Sequence, residues 1–360
     1  MRFRHLIPAL LFVTASGFAQ EAASGIDLSA TLSGEVVSSQ ALTDKPRDGS
    51  PVIAGFRSVL YPTWKIDDHW TLSGAININS RPYFEDDFTS QGYGVSGRIL
   101  QLNLGYSKVW KNGSVVIRAG QLSSAFGSFL LRYDDAANPL LNTPMQYGYY
   151  ANAAVSTLGL AGAQIDLTHG KWDGRVQFTT SSPANPRSIF EDAQYPNWTG
   201  GLGYTIRQGF RVGVSGYRGP YLDRGSRFYV PGESSPRQLP ATAFGADAAF
   251  AWDHWNVYGE WQRFDMTYHK IPAFRENAGY AELRRVLHPR WYVAARAGYL
   301  HGSFSFGSEV YEAAVGFRPN THQLIKVSYA LEHERFSGRL CTVTGIQLVT
   351  QIHPLSLAWH

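Results

Sequence analysis

The sequence predicts an all-β fold: a transmembrane antiparallel up-and-down β-barrel of about 16 strands, with short periplasmic turns and long extracellular loops. Three observations carry that prediction. Apolar and polar residues alternate with period two in segment after segment, and no apolar run beyond the N-terminus is long enough for a membrane helix. Connections between these segments alternate between short and long, and tryptophan gathers beside the short ones.

The chain begins MRFRHLIPALLFVTASGFAQEAA, in which Arg2, Arg4 and His5 precede an apolar run from Leu6 to Val13 and then small residues. This is the layout of a secretory leader, expected to be residues 1–19, ahead of one barrel domain over residues 20–360. Loss of Arg2 and Arg4 takes the formal charge from +4 to +2, so the mature chain is nearly neutral and nothing in its charge points to nucleic acid. The composition sets 36 Gly, 20 Tyr, 20 Phe and 10 Trp against one Cys, so an exported chain of this kind does not rest on disulfides. Lone Cys341 reads as an incidental loop residue.

Alternation marks strands near 26–38, 54–65, 69–79, 95–110, 114–121, 155–168, 172–181, 198–207, 210–218, 242–252, 255–265, 277–287, 291–300, 309–318, 322–333 and 344–359. In HWTLSGAININS, Leu72, Gly74, Ile76 and Ile78 share one face and Ser73, Ala75, Asn77 and Asn79 the other. In RILQLNLGYSKVW the apolar set is Leu100, Leu102, Leu104 and Tyr106. Later, WYVAARAGYL sets Arg296 against Trp291, Val293 and Ala295, and LIKVSYALEH sets Lys326 against Ile325 and Val327. The long connections, near 39–53, 80–94, 122–154, 182–197, 219–241, 266–276, 301–308 and 334–343, all fall at one end. Trp64, Trp70, Trp110, Trp172, Trp252, Trp255, Trp291 and Trp359 flank short turns or the C-terminus, as a periplasmic aromatic girdle requires.

If the apolar faces meet lipid, the opposite faces line the lumen. The acids there are Asp27, Glu35, Asp166, Asp247, Glu260, Glu282, Glu312 and Glu332; the bases are Arg118, Arg175, Arg207, Arg211, Arg284, Arg296, Arg318 and Lys326. Eight of each sign do not make a strongly ion-selective tube. About 16 strands leave an aqueous channel unless a loop narrows it.

The 122–154 connection is the third long loop. A 16-stranded exported barrel with such a loop resembles the Gram-negative trimeric porins, in which that loop folds inward, and the local pattern RAGQLSSAFGSF is similar to phosphate-selective O/P-like porins. The resemblance implies outer-membrane location, lipid around the barrel, passage of small hydrophilic solutes or ions, no cofactor, and a homotrimer, which the sequence alone leaves open. It implies an eyelet containing Arg132, Asp134 and Asp135 opposite wall arginines such as Arg118 and Arg175; Glu282, Arg296 and Lys326 are further wall candidates. The lumen face lacks an excess of Arg or Lys, which departs from phosphate preference, and the C-terminus ends in His360 after Trp359.

A barrel hydrolase would need a nucleophile or water-activating pair with an oriented base, and the histidines do not cluster in sequence. Asp86-Asp87 and Asp134-Asp135 lack calcium-loop spacing, so no metal site is expected. A third reading is a loop-mediated binder using the Pro- and Arg-rich 182–197 and 219–241 segments. The reading favoured by the residues is passive diffusion through a lumen constricted by 122–154, without catalysis.

Overall fold

The computed structural model describes residues 24–40, 51–80, 94–147, 155–184, 196–222, 229–233, 235, 238–303, 307–335 and 337–359. The expected leader, the Asp86-Asp87 pair and most of the 182–197 loop lie outside them.

Sixteen strands follow one another: β1 (Ser24–Ser39), β2 (Val52–Lys65), β3 (Trp70–Ser80), β4 (Val95–Trp110), β5 (Gly113–Ser123), β6 (Leu158–His169), β7 (Trp172–Thr179) and β8 (Asn197–Arg207), then β9 (Phe210–Pro220), β10 (Pro240–Trp252), β11 (Trp255–Met266), β12 (Phe274–His288), β13 (Trp291–Gly302), β14 (Gly307–Phe317), β15 (Gln323–Glu334) and β16 (Leu340–Trp359). Each pairs antiparallel with its neighbours in sequence, and β1 pairs with β16, Glu35 opposite Gln347, to close the barrel. Closure is what lets a sheet cross lipid, where each unpaired backbone group costs several kcal/mol. Every strand lies within four residues of its expected bounds.

The outer wall is apolar and exposed: Leu32, Val36, Ile117, Ile165, Val176, Leu202, Val214, Phe244, Val327 and Ile346 alternate with buried lumen residues. Trp64, Trp70, Trp110, Trp172, Trp252 and Trp291 are exposed beside the short turns, forming the girdle that the spacing predicted. Their rings are braced by neighbours, Trp172 on Tyr204 and Trp291 on Phe317 with centroids 4.6 and 4.4 Å apart.

Three expectations fail, two of them for one reason. Leu100, expected on the lipid face, is 6 % exposed and packs inside the barrel with Val59, Ala75 and Leu158. The β3–β4 register jumps between Ala75 and Ile76, leaving Leu100 as the extra residue of a bulge that turns it inward. Arg207, expected in the lumen, sits past a second register shift, opposite Phe210 and over the outward ring of Phe250. Cys341, read as a loop residue, is the second residue of β16, opposite Glu332.

Candidate pore constriction

The connection after β5 turns into the barrel. Leu122 ends the regular pairing with β6, and Gln177 of β7 then takes over the backbone: its amide donates to Ser123 O at 2.7 Å and accepts from Ala125 N at 3.1 Å. Gly127 follows at φ 73°, a left-handed conformation. A Cβ there would lie 2.3 Å from the Tyr147 hydroxyl, so the glycine of AFGSF serves both the turn and the close approach of two loop segments.

Beyond Gly127 the loop meets the far wall. Glu260 of β11 accepts from Ser128 N, Ser128 Oγ, the Tyr147 hydroxyl and, at 2.8 Å, Phe129 N. Burial, with Glu260 beside it, holds the Tyr147 phenol well above its ordinary range, which keeps it a donor. A short 3₁₀ turn, Phe129–Arg132, buries Phe129 against Tyr147 and Tyr280. Its last residue, Arg132, pairs with Glu282 of β12, donates to the Tyr280 hydroxyl at 3.0 Å and stacks 3.8 Å over Tyr258.

The chain then swings to the β2 side. The Tyr61 hydroxyl donates to Asp134, and Arg57 pairs with Asp135 at 3.1 Å while stacking 4.4 Å over Tyr133. Opposite, the Lys326 ammonium of β15 is fully buried and donates to the carbonyls of Asp135, Asn138 and Leu140 at 2.9, 3.1 and 3.0 Å. Three donors meet three acceptors, which is how a buried ammonium is accommodated.

Leu140, without exposed surface, enters an apolar patch of Tyr292, Ala294, Ala314, Leu324 and Val349. Arg296 of β13 holds the next turn: it donates to Glu282 at 2.6 and 3.0 Å, Asn142 O at 2.7 Å and Asn138 Oδ1 at 3.0 Å. Glu312 of β14 accepts from Leu141 N and Asn142 N at 3.0 and 3.2 Å. A second 3₁₀ turn, Met145–Tyr147, seats Met145 against Ala278, Leu300 and Val310.

The structure thus unites Arg132, Glu282 and Arg296 in one cluster, and Asp135, Arg57 and Lys326 in another. It separates what the sequence placed face to face: Asp134 and Asp135 do not meet Arg118 or Arg175. Arg118 pairs with Asp166 on the wall at 2.8 Å, and Arg175 donates to Gly127 O at 2.6 Å at the loop's start. The reason is length: residues 124–133 carry the acid pair away from β5 to β2 and β15. Residues missed as constriction partners are Arg57, Tyr61, Glu260, Glu312, Asn138 and Asn142. Arg57 had a signal, since alternation in FRSVLY puts it on the lumen side of β2 with Val59 and Tyr61, but two apolar companions masked it.

A closed 16-stranded antiparallel barrel, apolar outside and carrying an inward third loop, defines the outer-membrane β-barrel class. No protein-family model matches the chain, and no curated protein matches it in sequence. Solved structures do match in shape. The barrel is similar to OmpT, an outer membrane protein of Vibrio cholerae, in its trimer form, with TM-score 0.61 and 10% identity over 92% of this chain and 100% of that one. It is similar to an anion-selective porin from Comamonas acidovorans (0.61, 9%, 91% and 100%) and to the outer membrane channel DcaP of Acinetobacter baumannii (0.60, 12%, 93% and 99%). At such identities the likeness establishes the fold.

Proposed function

We propose that the chain is an outer-membrane porin through which small hydrophilic solutes or ions diffuse passively, the 122–154 loop narrowing the path. The observation that carries this reading is the loop itself, fastened by charged and polar groups to β2, β11, β12, β13, β14 and β15 at once. Charged side chains gathered at a constriction are how the lumen of a channel sets which solutes pass. The four cations at the septum, Arg132 on the loop and Arg57, Arg296 and Lys326 on the wall, all bond to carboxylates or loop carbonyls, so the reading favours weak ion selectivity.

In this reading residues 1–19 are a leader, residues 20–360 form one domain, and the assembly is a homotrimer, as in the trimer form of the Vibrio protein. The likeness to the anion-selective porin of Comamonas acidovorans supports an anion-selective alternative. Refolded protein in a planar bilayer should give discrete conductance steps and a reversal potential near zero in asymmetric KCl. Absence of steps refutes the porin; a strongly anion-selective reversal potential replaces general diffusion with the alternative.

A further inference from the structure

At the short-turn end of β7 to β12, three cations lie over aromatic rings on the outside of the barrel. Lys171, in the turn before β7, holds its ammonium 6.0 Å from the Tyr204 ring; Arg207, ending β8, lies 5.6 Å over Phe250; and Arg285 of β12 lies 4.7 Å over Trp255. Among the described residues these are the cation–ring contacts that face away from the lumen, since those of Arg57, Arg132, Arg284 and Arg296 are inside it. The register makes the two arginine platforms neighbours. Phe250 pairs with Phe210, itself opposite Arg207, while Trp252, two residues further along β10, pairs with Trp255, itself opposite Arg285. Phe250 and Trp255 thus stand on adjacent strands, about 4.8 Å apart across the sheet.

The donors of this patch are available. Arg207 and Arg285 are exposed and neither is ion-paired among the described residues. The carboxylate of Asp253, in the turn between β10 and β11, is taken by His254 at 2.8 Å. A guanidinium lying over a ring keeps its N–H edge for an acceptor beside it. Lys171 gives one of its three protons to Ile206 O at 3.1 Å and keeps two. On the β2 side of the rim the arrangement differs, Lys65 being paired with Asp68 at 3.7 Å. Toward the membrane centre the same sector is exposed and apolar, with Leu202 of β8, Val214 of β9, Val257 of β11 and Leu283 of β12. Free donors at the water boundary, ending an apolar wall, match a molecule with an anionic head and hydrocarbon tails. A free anion would gain nothing from the wall, and exposed cations alone are screened by salt.

We propose that Lys171, Arg207 and Arg285 form a headgroup site for an anionic glycerophospholipid of the periplasmic leaflet, its phosphate at the cations and its acyl chains along β8 to β12. The site belongs to the outer wall, so it stands whether or not solutes cross the lumen.

The test is native mass spectrometry of the detergent-solubilised full-length protein, titrated with phosphatidylglycerol or with phosphatidylethanolamine of the same chains. Wild type should bind phosphatidylglycerol in preference. Each cation near a lipid headgroup is worth about fivefold in binding, so Arg207→Gln/Arg285→Gln, checked for folding by its heat-modifiable gel mobility, should bind phosphatidylglycerol about 25-fold more weakly and phosphatidylethanolamine as before. Lys65→Gln/Lys108→Gln, which removes two cations from the β2 to β4 side of the same rim, should keep the wild-type preference. Equal binding of the two lipids by wild type, or a preference unchanged in Arg207→Gln/Arg285→Gln, overturns the site. The same loss in Lys65→Gln/Lys108→Gln also overturns it, because the preference would then belong to the charge of the whole rim. Displacement of phosphatidylglycerol by an equal concentration of inorganic phosphate overturns the assignment to a lipid.

Discussion

Lys326→Met removes a wall group that bonds the loop at three points, the carbonyls of Asp135, Asn138 and Leu140. The ammonium donates to three septum carbonyls at 2.9 to 3.1 Å. Hydrogen bonds to a charged donor contribute roughly 1.5–3 kcal/mol each, and burial of the ammonium costs several kcal/mol in return. The net contribution is on the order of 3 kcal/mol, and methionine leaves three carbonyls in search of water. Since about 1.4 kcal/mol is a factor of ten, the undocked population of residues 135–140 should rise roughly a hundredfold. Single-channel recording would register this as added open-channel noise and a higher-conductance substate, while the wall strands, which do not depend on Lys326, keep the barrel resistant to detergent. A Lys326→Met channel with wild-type conductance and wild-type noise would refute the reasoning, because it would mean that the three contacts do not hold the septum in place.

Other perturbations test other parts of the account. Glu282→Gln leaves Arg132 and Arg296 without their shared carboxylate, and thermal unfolding followed by gel mobility should show a loss of about 3 kcal/mol, the usual scale for breaking a buried pair. Asp67, in the turn between β2 and β3, accepts from His69 N and Trp70 N, both at 2.7 Å, and these donors hold its carboxyl below the usual range. Its folded value being depressed, its contribution is complete above the ordinary carboxylate value of about 4 and is lost as pH falls through the lower folded value. The stability gap between wild type and Asp67→Ala, measured by urea titration, should therefore close on acidification. Asp253 adopts φ 50° in the turn between β10 and β11, so Asp253→Val should be less stable than Asp253→Gly by about 1–2 kcal/mol in the same titration.

The strands were legible because a wall between lipid and water imposes a period of two on every segment, and nothing but the residues themselves is needed to see it. Leu100 and Arg207 escaped because a bulge shifts the period by one residue, and the extra residue is visible only in the partner's register. The loop was legible as an interruption, its destination was not. Asp135 meets Arg57 and the Lys326 ammonium meets its backbone carbonyl, contacts separated by 78 and 191 residues, and no local pattern encodes which wall an inward loop will reach. Glu260 and Glu312 were recognised as lumen acids, but their role as acceptors for loop N–H groups depends on a backbone path that alternation does not describe.

The most direct test of the central claim is the conductance of a barrel from which residues 128–144 have been deleted. That excision removes Arg132, Asp134, Asp135, Asn138, Leu140 and Asn142 together, and with them the contacts to β2, β12, β13, β14 and β15. If the loop sets the width of the path, single-channel conductance in KCl should rise severalfold while the barrel still folds in detergent. Conductance equal to that of the intact chain would contradict the account.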